Sequence, residues 1–280
     1  MRRTLQPPSV IPHRSVADQP TSWSVLLSRI DFEMDCFPLQ TRATLVGAGQ
    51  LDLVSQIEDW HTKLLKRRRK TIQVKGPSWS QYRSARADAE VLQQALLRRT
   101  DRLTGSCGTS LAHGDNYGCA LMARGHLETS ALLGYLAHQT KALADGKMSA
   151  EEYDGTVKAL LFGSRDADAE SVGMPKAVNI LTCIKKADQF MRDHPGYGGK
   201  SLVSEAYQVL SEFAHPNSFS HSLSIKYRGW HVDLASRHDL GSLNYDLLNW
   251  LLISLMLFVD CFDAVDELHS LMSERSANDI

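Results

Sequence analysis

Two stretches of this chain limit its fold more than any other: Ala123–Leu133, ARGHLETSALL, and Ala206–His221, AYQVLSEFAHPNSFSH. Both place apolar residues at the spacing of an amphipathic helix, and both interrupt that apolar face with polar groups. Arg124, Glu128 and His138 make one polar stripe; Tyr207, Ser211 and His215 make the other. An unpaired buried donor, acceptor or charge costs on the order of 1–3 kcal/mol or more. The two helices are therefore expected to meet, with Arg124, Glu128, Tyr207, Ser211 and His215 as one polar cluster.

Helical periodicity dominates the rest. In Gln50–Arg69 the residues Leu53, Ile57, Trp60 and Leu64 share a face, and from Ser80 to Arg102 so do Ala85, Ala89, Leu92 and Leu96. Tyr117–Ala144 is long and apolar enough to be central. Ser149 and Glu152 have the spacing of a capping box and open a short helix. Gly163–Gly173 is polar and reads as a loop, after which Val178, Leu181, Ile184 and Ala187 resume helical spacing through Arg192. A helix from Ser201 should stop at His215, because Pro216 disfavours helical geometry in the residue before it. Apolar alternation on either side of Arg228-Gly229 predicts a β-hairpin over about 222–235. A last helix is expected over Leu243–Met272. The predicted fold is mainly α: a single multi-helix bundle with one small hairpin spanning 23–280, preceded by a proline-rich, disordered tail over 1–22.

The longest apolar run, Leu247–Val259, lies between Asp246 and Asp260. It falls short of the roughly 20 residues a bilayer span needs and reads as a buried core helix, so no membrane partner is expected. Five cysteines without a C-x-x-C pair fit a reducing compartment, and no signal peptide is evident, so a cytoplasmic location is expected.

A net charge of −1 hides an asymmetry. Residues 1–110 hold 17 Lys+Arg against 10 Asp+Glu, whereas residues 111–280 hold 14 against 22. The densest basic run is Lys66, Arg67, Arg68, Arg69 and Lys70, in the last turn of a helix, where cations complement the helix dipole. Five consecutive charges exceed what a helix end needs. Two readings stay open: contact with nucleic acid or another polyanion, aided by Trp79 and Tyr82 for stacking, or docking onto the acidic C-terminal half.

Other patterns fail on inspection. Gly199-Lys200-Ser201 resembles the end of a phosphate-binding P-loop, but the glycine such a loop needs at position 194 is His194. His126 and Glu128 are two apart on a helix and diverge, so no metal site and no cofactor are expected from them or from His215, His221 and His231. No G-x-S-x-G or H-E-x-x-H occurs.

The pairing of A-R-x-x-x-E-x-x-x-L around Arg124 and Glu128 with Y-x-x-L-S-x-x-x-H-P around Tyr207, Ser211, His215 and Pro216 resembles a loose set of uncharacterised bacterial helical proteins. The resemblance covers roughly 110–220 and the closing helix, and implies a helical fold with a shared polar site. A more distant similarity is to HEPN domains, helical bundles found in ribonuclease toxins and defence proteins. Their R-x(4–6)-H pattern is absent here, with Arg124 standing in for the arginine beside His215. That similarity implies a metal-independent ribonuclease, His215 as its acid–base group, and a homodimer. The first expectation is a non-catalytic binding or accessory protein whose polar cluster either shapes the core or cradles a small anion.

Overall fold

The computed structural model describes residues 36–74, 81–193, 201–217, 220–221, 225–233 and 242–278; the tail predicted over 1–22 and the glycine-rich turn before Ser201 lie outside them. Among the described residues, nine helices and a hairpin follow in chain order: α1 (Leu39–Gly47), α2 (Leu51–Leu65), α3 (Gln81–Ala112), α4 (Asn116–Ala144), α5 (Ala150–Phe162), α6 (Ala167–Ser171), α7 (Ile180–Arg192), α8 (Leu202–Ala214), β1 (Lys226–Arg228), β2 (His231–Asp233) and α9 (Ser242–Asn278). The fold is mainly α, a helical bundle, and Asp35–Ile280 clusters as one unit.

α4 is the axis of that bundle, packing against α3, α5, α7, α8 and α9. Its sequence allows this because small residues occupy the close approaches. Ala120, Ala123, Ala131 and Ala137 are buried beside Leu127, Leu133 and Leu136. At Gly134 an added Cβ would sit 2.7 Å from the Cβ of Ala187, so only glycine lets α7 come this near. α9 closes the other side with Leu248, Leu251, Leu255, Phe258 and Phe262, all buried against α4, α2 and α3. Its stretch Tyr245–Glu274 is long and apolar enough to cross a membrane, unlike the short run expected from sequence, but an apolar 18-residue window of it is 61% buried inside the fold.

Several polar groups carried into this core are paired across helices. His126 Nδ1 lies 2.6 Å from the Ser254 hydroxyl on α9, and Ser130 Oγ lies 2.9 Å from the Ser254 carbonyl. The Tyr153 hydroxyl sits 3.0 Å from both Thr140 Oγ1 and His269 Nε2. Burial pushes the His126 imidazole down to about 3, with the neighbouring His61 adding to the effect. Burial likewise lowers His269 to about 3, assisted by Arg86.

The local signals act as their chemistry requires. Ser149 and Glu152 form a reciprocal capping box at α5. α8 ends at Ala214, with His215 in extended backbone ahead of Pro216, and the hairpin pairs Lys226 with Asp233 and Arg228 with His231. Three expectations need correction. The loop predicted over 163–173 contains α6, whose turn is closed by Met174 N–H donating to the Ala169 carbonyl. Leu181 is exposed, because the inward face of α7 runs through Cys183, Ile184, Ala187, Asp188 and Met191. Trp230 belongs to the hairpin turn and is fully exposed rather than part of a strand.

Asp188 is a carboxylate buried on the apolar face of α7, where it takes the place of a helix cap. Ser201 makes no side-chain cap for α8; Asp188 instead accepts from Val203 N–H at 3.0 Å and Ser204 N–H at 3.1 Å. Replacing it leaves two buried donors unpaired, so Asp188→Ala should destabilise the fold by about 2 kcal/mol in urea unfolding.

The two buried histidines also set an acid limit. Both are depressed in the fold, so their contribution is complete above the ordinary histidine value and is lost as pH falls from about 6.5 toward 3. Between pH 7 and pH 5 each should remove roughly 2 kcal/mol of stability. Urea titrations at the two pH values measure this, and His126→Asn should flatten about half of the slope; an unchanged stability at pH 5 would contradict the assignment.

Candidate anion-binding cavity

The row Arg124, Glu128 and Leu132 runs along α4 at four-residue spacing, so the three side chains stack on one stripe of the helix. All three are only partly buried, marking the stripe that the surrounding helices leave incompletely covered. Above it is a cavity of about 410 Å³. Arg99 of α3, Leu160 of α5, Ile180 of α7 and Tyr207 of α8 line it, together with Gly163, Arg165 and Val178 from the segment joining α5 to α7.

That joining segment is braced so that it forms a wall. Ser164 N–H donates to the Pro175 carbonyl at 3.0 Å, and Ala177 N–H returns to the Ser164 carbonyl at 2.9 Å. The two strands of chain touch at Gly163, where a Cβ would lie 2.7 Å from Cα of Ala177 and closer still to the Ala159 carbonyl. Any side chain there would push the wall outward.

The expected meeting of the two polar helices occurs, through part of the predicted set. Arg124 Nη2 donates to the Tyr207 hydroxyl at 3.0 Å, and the guanidinium carbon stands 5.2 Å from the ring centre, within cation–π range. Arg124 Nε is 3.2 Å from Glu128 Oε1 without hydrogen-bond geometry, so this buried N–H lacks a hydrogen bond. Because Tyr207 accepts from Arg124, its own O–H is free to donate to something in the cavity.

Ser211 and His215 stand apart from this. Ser211 Oγ is buried one turn beyond Tyr207 without a hydrogen bond. His215 is exposed at the end of α8 and does not line the cavity; eight residues separate it from Tyr207, about 12 Å along a helix. His138, expected on the stripe with Arg124, lies too far along α4 and borders Lys186 of α7, where burial lowers its basicity.

Sequence periodicity could not supply Arg99 and Arg165, which come from other elements. Arg99 is held in place by Thr129: its Nε donates to Thr129 Oγ1 at 3.0 Å, while Thr129 donates to the Gly125 carbonyl at 2.7 Å. Neither Arg99 nor Arg165 has a carboxylate partner among the described residues. Three arginines, of which Arg99 and Arg165 are exposed to solvent, thus line a cavity with one carboxylate, Glu128. No protein-family model matches this chain, and no curated protein or solved structure does. Any function must be read from the cavity itself. Among the described residues no cluster of three His, Cys, Asp or Glu is arranged to hold a metal ion.

The basic run lies beyond the end of α2 at Leu65, not in its last turn as expected, and has a different surrounding. Arg67 makes a two-pronged contact with Asp263 of α9, its Nε at 2.6 Å from Oδ1. Arg68 approaches Asp101 at 3.4 Å, the other oxygen of which is 2.8 Å from His61 Nε2. Arg69 bridges Glu90 and Asp266, each at 3.1 Å, and its backbone N–H donates to Gln94. Docking onto α3 and the acidic face of α9 thus engages the three arginines, while Lys66 and Lys70 are exposed. Arg67→Ala combined with Arg69→Ala should lower stability by about 1–2 kcal/mol, with a smaller loss at high salt. Lys66→Ala with Lys70→Ala should leave it within about 0.5 kcal/mol, as calorimetric melting would show.

Proposed function

We propose that this protein is a non-catalytic binding protein whose cavity between α3, α4, α5, α7 and α8 takes a small anion. The observation that carries this reading is the charge inside the cavity: Arg99, Arg124 and Arg165 against Glu128 alone, with Arg99 and Arg165 outside any ion pair among the described residues. Arg42–Glu58, Arg67–Asp263 and Arg86–Glu90 are paired elsewhere in the fold, whereas at the cavity one carboxylate stands among three arginines. Planar guanidinium groups match the oxygens of carboxylates and phosphates in two-point hydrogen bonds. The free Tyr207 O–H and the unpaired Arg124 Nε–H add donors of the kind an oxyanion would satisfy. A volume of about 410 Å³ lies in the range of small-ligand sites.

A ligand bound only by the folded state raises the melting temperature by mass action. Inorganic phosphate or sulfate at ten times the dissociation constant should stabilise the protein by about 1.4 kcal/mol. Arg99→Ala and Arg165→Ala, which break no ion pair in the fold, should melt like the parent without anion and lose most of the added stabilisation with it. Equal stabilisation of parent and both variants would place the anion elsewhere and remove this function.

A further inference from the structure

We infer that the cavity is built for a phosphate monoester dianion carrying a flat apolar body, an assignment that rests on the anion-binding reading above and adds the ligand class. Charge comes first. Three cationic side chains with one carboxylate leave a surplus of two positive charges at the cavity, which a dianion neutralises and a carboxylate or phosphodiester does not.

Convergence comes second. Arg99 is anchored to Thr129 and Arg124 borders Glu128, so both guanidinium groups are tied to little more than one turn of α4. A helix rises about 5.4 Å per turn, which brings them to one doubly charged head rather than to two separated carboxylates. Tyr207, held by Arg124, supplies a hydroxyl donor at the same end. A phosphate monoester offers three oxygens to such a set, enough for both arginines and the hydroxyl together.

Shape comes third. Part of the lining is apolar: Leu132, Leu160, Val178 and Ile180. Free phosphate would leave this wall in contact with water and most of the volume unfilled. An aromatic ring on the ester oxygen fills it and removes apolar surface from water, at roughly 25 cal/mol per Å².

Isothermal titration of the intact protein with four probes separates these elements. Phenyl phosphate should bind most tightly. Phenyl methyl phosphate, with the same ring and one charge fewer, should bind about tenfold or more weakly, as expected for loss of a charge-assisted contact. Inorganic phosphate lacks the ring and should also be about tenfold weaker. Succinate, with its two charges separated, should be weaker than phenyl phosphate by a similar factor. Arg99→Ala should shrink the advantage of the monoester over the diester. Leu160→Ala, at a partly exposed position that the fold tolerates, should weaken phenyl phosphate while leaving inorganic phosphate unchanged. Equal affinity for monoester and diester overturns the dianion assignment, and equal affinity for phenyl phosphate and inorganic phosphate overturns the apolar body. Preference for succinate overturns the single head. Binding of none of the four defeats the anion reading itself, a result distinct from the other three.

Discussion

Everything in this fold depends on burying α4 on nearly all sides. A helix enclosed by five others cannot be amphipathic in the usual sense, with one dry and one wet face. It must be small where a neighbour's backbone approaches, as at Gly134 against Ala187, and apolar where side chains interlock. Each polar group it carries needs a partner on the facing helix. His126 and Ser130 meet Ser254, and Thr140 meets Tyr153. Such pairings fix the rotation of α9 and α5 about the axis, because sliding either helix by one residue would leave buried polar atoms stranded.

The cavity follows from the same constraint. Five helices of unequal length do not enclose a cylinder completely, and the gap falls over the Arg124–Glu128–Leu132 stripe. Had that stripe been apolar, α5 and α8 could have closed on it as they close elsewhere on α4. Instead it carries a guanidinium and a carboxylate that are costly to dehydrate. The segment joining α5 to α7 spans the gap as a braced wall, and its tight crossing at Gly163 keeps it from collapsing inward or swinging away. The void is thus a consequence of which residues were placed on one stripe of the central helix.

Much of the architecture was legible in the sequence because it is governed by local rules. The capping box at Ser149–Glu152, the stop at Pro216 and the inward face Ala85–Ala89–Leu92–Leu96 depend on residues within a few positions of one another. What was not legible depends on distant partners. Leu181 fits a helical apolar spacing, but the face of α7 that packs is decided by α4 and α8 and carries Asp188 inward. Asp188 itself looks like a surface charge until the uncapped start of α8 is set beside it. Of the polar cluster, Arg124, Glu128 and Tyr207 meet as their stripes imply. His215 does not, since the stripe continues past the point where the helices diverge.

The arginines show most clearly why sequence pattern and site differ. The run Lys66–Lys70 is the loudest basic signal in the chain, yet its arginines are held by Asp101, Glu90, Asp263 and Asp266 and serve to fasten α2 to α3 and α9. Arg99 is one of three arginines within Arg98–Arg102 and Arg165 is a lone cation in a polar loop, and neither setting points to a shared cavity. Charge density along a chain reports how many cations are near one another, not whether anions await them in the fold. The informative quantity is the difference between the two, and it can be taken only after the helices are packed. In the basic run that difference is near zero at each arginine, so the field there is short-ranged. In the cavity it is two positive charges along a concave surface, which focuses their field more than a convex one does. Three arginines and one carboxylate line the same cavity, which gathers unbalanced positive charge at one concave place in the fold.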